Sequence, residues 1–330
     1  MLRLLQPRAL RRGAVLGIAA PGGPVDAKQL RAGEALLREA GFALRRREDV
    51  LARDGYLAGD DARRAAELMQ LVRDPEVEGI VCARGGYGCD RILPLLDAGA
   101  FRRAAKPLVG YSDITALLLW QRRCAGLIGF HGPMLDRGAD LDRGAFEHLL
   151  RHLLGEGSLP SVLRGDALVR GRATARLVGG SLTLLAASIG SSWEVDTRGA
   201  ILLIEDVGER PYRVDRMLQQ LRAAGKLERL AAIGVGSFEG CVDERYPQPD
   251  VDMVIERALA PLGVPLLRGL PFGHVKRNLA WPMGGRATLD ASRGELQLLE
   301  WGVRARARSG TRRRARASEV RARRSRGKRK

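Results

Sequence analysis

Apolar and polar positions divide the first half of the chain into short buried runs and amphipathic stretches. Val15–Ala20 is an unbroken apolar run closed by Pro21-Gly-Gly-Pro24, the pattern of a buried strand that ends in a turn. Lys28–Ala40 places Leu30, Ala35, Leu36, Leu37 and Ala40 at helical spacing and stops at Gly41. Ala62–Val72 predicts a second helix, with Ala65, Leu68, Met69 and Val72 as its buried stripe. Gly79–Ala83 predicts the next strand and runs into Arg84-Gly-Gly-Tyr-Gly88. A helix begins within 89–97, Pro107–Tyr111 predicts a further strand, and Ile114–Gln121 a helix. Strands separated by helices imply βαβ units and a parallel, Rossmann-like α/β sheet. Ligands of such sheets collect beyond the carboxyl ends of the strands, where the glycine-rich and polar residues lie here.

The pattern loosens over 136–170, where Gly, Asp and Arg are scattered and only Phe146–Leu154 reads as helical. Strands near Ala200–Ile204, Ala231–Gly236 and Thr288–Leu289 follow, with a helix over Val214–Ala224 that buries Val214, Met217, Leu218 and Leu221. These predict a smaller mixed α/β, β-rich C-terminal domain. The expected division is an N-terminal α/β domain over 1–135, a connection over 136–170, a C-terminal domain over 171–303 and a basic tail over 304–330.

Composition narrows the class. The chain has 330 residues, 45% of them hydrophobic, which suffices for about two domains of roughly 150 residues with full cores. Collagen, coiled-coil and wholly disordered architectures are excluded. No apolar run approaches the roughly 20 residues that cross a bilayer. Cys82, Cys89, Cys124 and Cys241 are too few and too irregular for a disulfide scaffold, and they lack paired C-x-x-C spacing. A reducing, cytoplasmic location is expected. Arg11-Arg12 before Ala14–Ala20 mimics a twin-arginine export signal, yet a buried strand ending in a Gly/Pro turn explains the same letters.

The net charge of +18 is concentrated at one end. Residues 304–330 hold 14 Lys/Arg against Glu319 and carry +13, leaving only +5 on the other 303 residues. Such a run cannot bury enough apolar surface to order itself and is expected to be a solvated tail. It could attract polyanions without sequence specificity. A specific nucleic-acid partner is not expected, because the body is only mildly basic.

Three regions could carry chemistry. In Leu108-Val-Gly-Tyr-Ser-Asp-Ile-Thr115, Ser112 falls between a strand end and a helix start, the placement of a nucleophile elbow. Ile114 breaks the G-x-S-x-G form, and a serine N-cap with Asp113 in the first turn explains the segment equally well. Arg84-Gly-Gly-Tyr-Gly88 could offer backbone N–H donors to an anion or oxyanion, or be a plain tight turn. It matches neither G-x-G-x-x-G nor a P-loop, so nucleotide readings lack support. In the second half, Glu205 and Asp206 end one strand and His274 sits in Pro271-Phe-Gly-His-Val-Lys276. With four histidines in the chain, His131 in Gly129-Phe-His-Gly-Pro133 is the rival to His274 as a base. His148 and His152 share a helix face without a metalloprotease pattern, so no metal is expected.

Taken together, the chain resembles the LD-carboxypeptidase family of serine peptidases, which includes the microcin-C immunity peptidases. The resemblance spans roughly 13–290. It rests on Ala20-Pro-Gly-Gly-Pro24, Arg84-Gly-Gly-Tyr-Gly88, Gly110-Tyr-Ser-Asp-Ile-Thr115, Phe130-His-Gly-Pro-Met134, Gly179-Gly-Ser-Leu182, Ile204-Glu-Asp-Val-Gly-Glu209 with Pro211-Tyr-Arg-Val-Asp215, and Gly273-His. It implies a triad of Ser112, His274 and Glu205 at the interface of two domains, and an oxyanion hole from the N–H groups of Asp113 and Gly86. No cofactor is implied, and family members are usually homodimers. The implied reaction is release of terminal D-alanine across an L,D-bond of muropeptide tetrapeptides during peptidoglycan recycling. The immunity branch instead cleaves a peptidyl-nucleotide amide, using an aromatic loop for which Trp193 and Trp281 are available. Arg84, Tyr87 and Arg213 are the expected substrate contacts, although an arginine paired with Glu209 or Asp215 would explain Arg213 as well.

Overall fold

The computed structural model describes residues 3–305, apart from the Ala139 side chain. The basic run expected to form a tail lies outside the described residues from 306 onward. Its first residue, Arg304, is tied into the fold: its N–H donates to the Pro7 carbonyl at 2.8 Å and its carbonyl accepts from Ala9 at 3.1 Å.

Five strands of the first half are β1 (Val15–Ala19), β2 (Ala43–Arg45), β3 (Val77–Cys82), β4 (Leu108–Gly110) and β5 (Gly129–His131). The second half supplies β6 (Ser161–Arg164), β7 (Asp166–Val169), β8 (Arg172–Ser181), β9 (Ala200–Val207), β10 (Ala232–Glu239), β11 (Leu266–Arg268), β12 (Trp281–Met283), β13 (Arg286–Asp290) and β14 (Glu295–Leu298). The first sheet has the order β12-β5-β4-β3-β1-β2. Its pairings are parallel except that of β12, which returns from late in the chain to run antiparallel against β5. The second sheet is mixed, in the order β6-β14-β13-β8-β9-β10-β11-β7, with β8 to β11 as its parallel core. It has eight strands against six.

The expected strands and helices of the first half are present, and their causes are local. The Ala27–Glu39 helix starts at an Asp26 cap that accepts from Lys28 and Gln29, and the Asp61–Arg73 helix at an Asp60 cap that accepts from Arg63. β9 is buried at every position but its last, as a central parallel strand requires. Two strands, β6 and β7, lie within 136–170, where the sequence reads as a connection. They form the two edges of the second sheet and are only partly buried, so their sequences lack an apolar run.

The sheets meet where the helix Ile114–Trp120, buried along its whole length, crosses the end of β8. The Ser181 N–H donates to Thr115 Oγ1 at 3.2 Å. A Cβ on Gly180 would lie 2.5 Å from that oxygen, and one on Gly179 would collide with the Leu203 backbone. The Gly-Gly-Ser segment thus permits a contact too close for side chains.

Candidate active site

Ser112 follows β4 directly and precedes the Ile114–Trp120 helix. Its φ of 61° is left-handed, unusual for a residue with a side chain. This geometry replaces the N-cap alternative: the Ser112 carbonyl, not its hydroxyl, accepts from Thr115 at 2.9 Å, and Asp113 occupies the cap position without a side-chain capping bond. Gly110 is required because Ile114 folds back onto it, with the isoleucine side chain 2.7 Å from where a Cβ would stand. Ile114 therefore takes up the space that the missing glycine of G-x-S-x-G would have left open.

The Arg84 loop lies against this turn. A Cβ on Gly85 would be 2.9 Å from Ser112 Cβ, 3.1 Å from its Oγ and 3.2 Å from the Asp113 nitrogen. Asp113 locks the contact, its buried carboxylate accepting from the Cys89 N–H at 2.9 Å. Burial raises the Asp113 pKa, opposed by backbone hydrogen bonds from the Arg84 loop. The Asp113 and Gly86 N–H groups have no backbone acceptor among the described residues. Pro21-Gly-Gly-Pro24 supports the loop from below: Gly23 donates to the Gly85 carbonyl at 2.6 Å, and the fully buried Arg64 donates to both Pro21 and Gly88 carbonyls. Arg64 is a scaffold residue that its position in an ordinary amphipathic helix does not betray.

Glu205 stands near the end of β9, in register with Ser181 of β8, and is fully buried. Its Oε2 accepts from His274 Nδ1 at 2.7 Å. His131 Nε2 lies 3.5 Å from Oε1, an electrostatic contact rather than a full hydrogen bond. Burial works against the charge on Glu205, but the two histidines outweigh it and hold the carboxyl down at about 2. Gly273, at φ 108°, allows the approach, since a Cβ there would stand 2.9 Å from Glu205 Cβ and Oε2.

His274 is 14% exposed, so one edge of its ring reaches solvent. Its loop is fixed by Asn278 Oδ1, which accepts from the Gly273 N–H at 3.0 Å, and by Arg137, which donates to the His274 carbonyl at 2.8 Å. The Tyr111 ring, adjacent in sequence to Ser112, packs 4.9 Å from the His274 ring and joins the two halves of the site. Asp136, whose pKa burial raises against the nearby Arg84 and Arg137 charges, completes a charged cluster beside His274. Asp136, Arg137 and Asn278 carry no sequence signal, because the first two fall in the loosely patterned 136–170 stretch.

The rival base is placed behind the pair. His131 is fully buried, stacked on Trp281 at 4.9 Å and 12°, and edged by Phe272 and Tyr111. His148 and His152 each bond a backbone carbonyl, of Ala280 and Trp301, and burial lowers the His152 pKa to about 4. Asp206 turns away from His274 to accept from Thr183 and Val207, and burial raises its pKa to about 6.

The expected substrate contacts differ in their freedom. Arg84 is exposed and uses one guanidinium nitrogen on the Pro24 carbonyl at 2.7 Å. Tyr87 is 47% exposed and edge-packed on Tyr56. Arg213 is engaged with Glu209 at 3.5 Å and with the Tyr212 hydroxyl. Trp281 is sealed in the His131 stack and Trp193 packs against the core, so neither forms an open aromatic platform.

Residues 174–289 match the LD-carboxypeptidase C-terminal domain and residues 16–132 the LD-carboxypeptidase N-terminal domain. Between them they contain Ser112, Glu205 and His274, and the class they define is a peptidase. The chain belongs to the LD-carboxypeptidase family. It is 37% identical over 306 residues to a probable murein peptide carboxypeptidase of Bacillus subtilis, covering 90% of this chain and 95% of that one. A murein tetrapeptide carboxypeptidase of Pseudomonas aeruginosa is 36% identical over 259 residues, or 74% of this chain and 82% of its own. The crystal structure of muramoyltetrapeptide carboxypeptidase from Oxalobacter formigenes superposes with a TM-score of 0.78 at 29% identity, over 89% of this chain and all of that one. A microcin C7 self-immunity protein of Escherichia coli is 27% identical over 303 residues, 81% of this chain and 87% of its own.

Proposed function

We propose that the protein is a serine-type LD-carboxypeptidase that releases terminal D-alanine from muropeptide tetrapeptides. The observation that carries this reading is the His274–Glu205 hydrogen bond of 2.7 Å, with Tyr111, the residue before the left-handed Ser112, packed 4.9 Å from the His274 ring. In this mechanism His274 takes the Ser112 proton as Oγ attacks the carbonyl carbon of the L,D-bond. Glu205, already anionic, fixes the imidazole tautomer and stabilises its cation. The Asp113 and Gly86 N–H groups receive the negative oxygen of the tetrahedral intermediate, each contributing roughly 3 kcal/mol. Collapse breaks the C–N bond, the His274 proton passes to the departing D-alanine amine, and water then hydrolyses the acyl-enzyme in the reverse sequence.

Arg84 is the favoured partner for the substrate's terminal carboxylate, because it is exposed and lies beside the His274 cluster, whereas Arg213 is already paired with Glu209. The reading includes a cytoplasmic dimeric enzyme of peptidoglycan recycling. The alternative, cleavage of an aminoacyl-nucleotide amide, is disfavoured by the burial of Trp281 and the core packing of Trp193. Direct competition tests the choice: equimolar L-Ala-γ-D-Glu-meso-diaminopimelyl-D-Ala and a glutamyl sulfamoyl nucleoside are incubated with enzyme. Preferential loss of the tetrapeptide supports the carboxypeptidase reading, and preferential loss of the nucleoside conjugate overturns it.

A further inference from the structure

Away from the triad, a crevice of about 580 Å³ is lined by Arg3, Arg122, Arg123, Arg176 and Arg304, with Glu300 as its one acid. None of the five arginines forms an ion pair among the described residues. Arg122 Nε is buried and has no hydrogen-bond partner. Burial lowers the Arg122 pKa, and the charges of Arg123 and Arg176 lower it further against the pull of Asp196. Asp196 itself bonds Arg198, and Glu194, which feels Arg123, bonds Lys226, so neither neutralises the crevice. Glu300 accepts from Gln6 at 3.2 Å. Arg122 is half-buried and the other four are exposed at the crevice wall, so five like charges against the single carboxylate of Glu300 repel one another and favour an anion between them. The volume is that of a small-molecule site.

We propose that this crevice binds a multiply charged phosphoanion, either pyrophosphate or the diphosphate of a nucleotide. Planar guanidinium forks suit phosphoryl oxygens, and several arginines around one centre favour a compact ligand of high charge. The position gives binding a consequence. Arg122 and Arg123 sit on the turn that continues the Ile114–Trp120 helix, whose other end follows Ser112, while Arg176 is in the middle of β8, which ends at Ser181. These two elements are already bonded through Thr115 and Ser181 beside the active site. An anion held by Arg122, Arg123 and Arg176 ties the two sheets at a second point, so, on the proposed reading of Ser112, Glu205 and His274 as one site, it steadies the contact between the elements that carry them.

Isothermal titration of the full-length protein with inorganic pyrophosphate at physiological salt tests this. One saturable site is expected, weakened at least tenfold in Arg122→Gln and in Arg123→Gln. The exposed Arg123 variant keeps the wild-type unfolding temperature without ligand, so a loss of binding there is not a loss of fold. Both variants retain residues 306–330, so binding of unchanged affinity in both would place the anion on the basic run and overturn the proposal. Absence of a saturable site in the wild type also overturns it. ADP binding more tightly than pyrophosphate identifies the nucleotide form, and equal or weaker binding the free anion, while citrate binding as tightly as pyrophosphate contradicts the phosphate assignment.

Discussion

His131 Nε2 stands 3.5 Å from Glu205 Oε1, with both side chains sealed from solvent. Glu205 is therefore gripped from two sides, by His274 in front and by a histidine in an aromatic box behind. A buried carboxylate needs such partners to remain charged. His131→Phe keeps the box filled but removes the polar edge. It is expected to lower kcat roughly tenfold with little change in KM, and to move the acid limb of the stability–pH profile to higher pH, because Glu205 loses a group that holds its pKa down. His131→Asn should recover part of the loss. An unchanged pH profile in His131→Phe would show that His131 only fills space.

The backbone at Ser112 is held in a left-handed conformation that a side chain makes costly. A side chain at φ 61° costs about 1 kcal/mol relative to glycine. Ser112→Gly and Ser112→Ala should both be inactive, with Ser112→Gly the more stable by about that amount in urea unfolding. Equal stability of the two variants would remove the argument that the turn is held for function.

Gly85 leaves open the space next to Ser112. Its Cβ position lies 2.9 Å from Ser112 Cβ and 3.2 Å from the Asp113 nitrogen, so Gly85→Ala intrudes where the oxyanion would sit. Turnover should fall by about two orders of magnitude or more, chiefly in kcat. Steady-state kinetics beside thermal unfolding checks this, and a loss explained entirely by unfolding would count against the assignment.

Glu205 also links activity to stability. Its folded pKa of about 2 lies below the ordinary value of 4.5, so its charge stabilises the fold above pH 4.5 and that contribution disappears as pH falls toward 2. Glu205→Gln should cost roughly 3 kcal/mol at pH 7, and the gap to wild type should narrow below pH 4.5. Its activity should fall by about 10⁴-fold through loss of the imidazole tautomer. A stability gap constant from pH 7 to pH 3 would contradict the buried anion.

The legible parts of the sequence were those with a local cause. β1, β3 and β4 are apolar runs, the helices Ala27–Glu39 and Asp61–Arg73 carry stripes and aspartate caps, and Ser112 sits at a strand-to-helix turn. What stayed hidden depends on distant partners. β12 is three residues whose strand character comes from pairing with β5, and β6 and β7 are edges without a buried face on both sides. Arg137 and Asp136 look like linker residues until the chain folds them onto His274. The choice between His131 and His274 could not be made from spacing, because both are single histidines beside glycines. Burial separates them.

The most direct measurement is release of free D-alanine from L-Ala-γ-D-Glu-meso-diaminopimelyl-D-Ala by the wild type and by Ser112→Ala at matched concentration and verified fold. Release by the wild type with none above background from Ser112→Ala is the predicted result. Comparable release by both proteins would contradict Ser112 as the nucleophile, and no release by either would contradict the substrate.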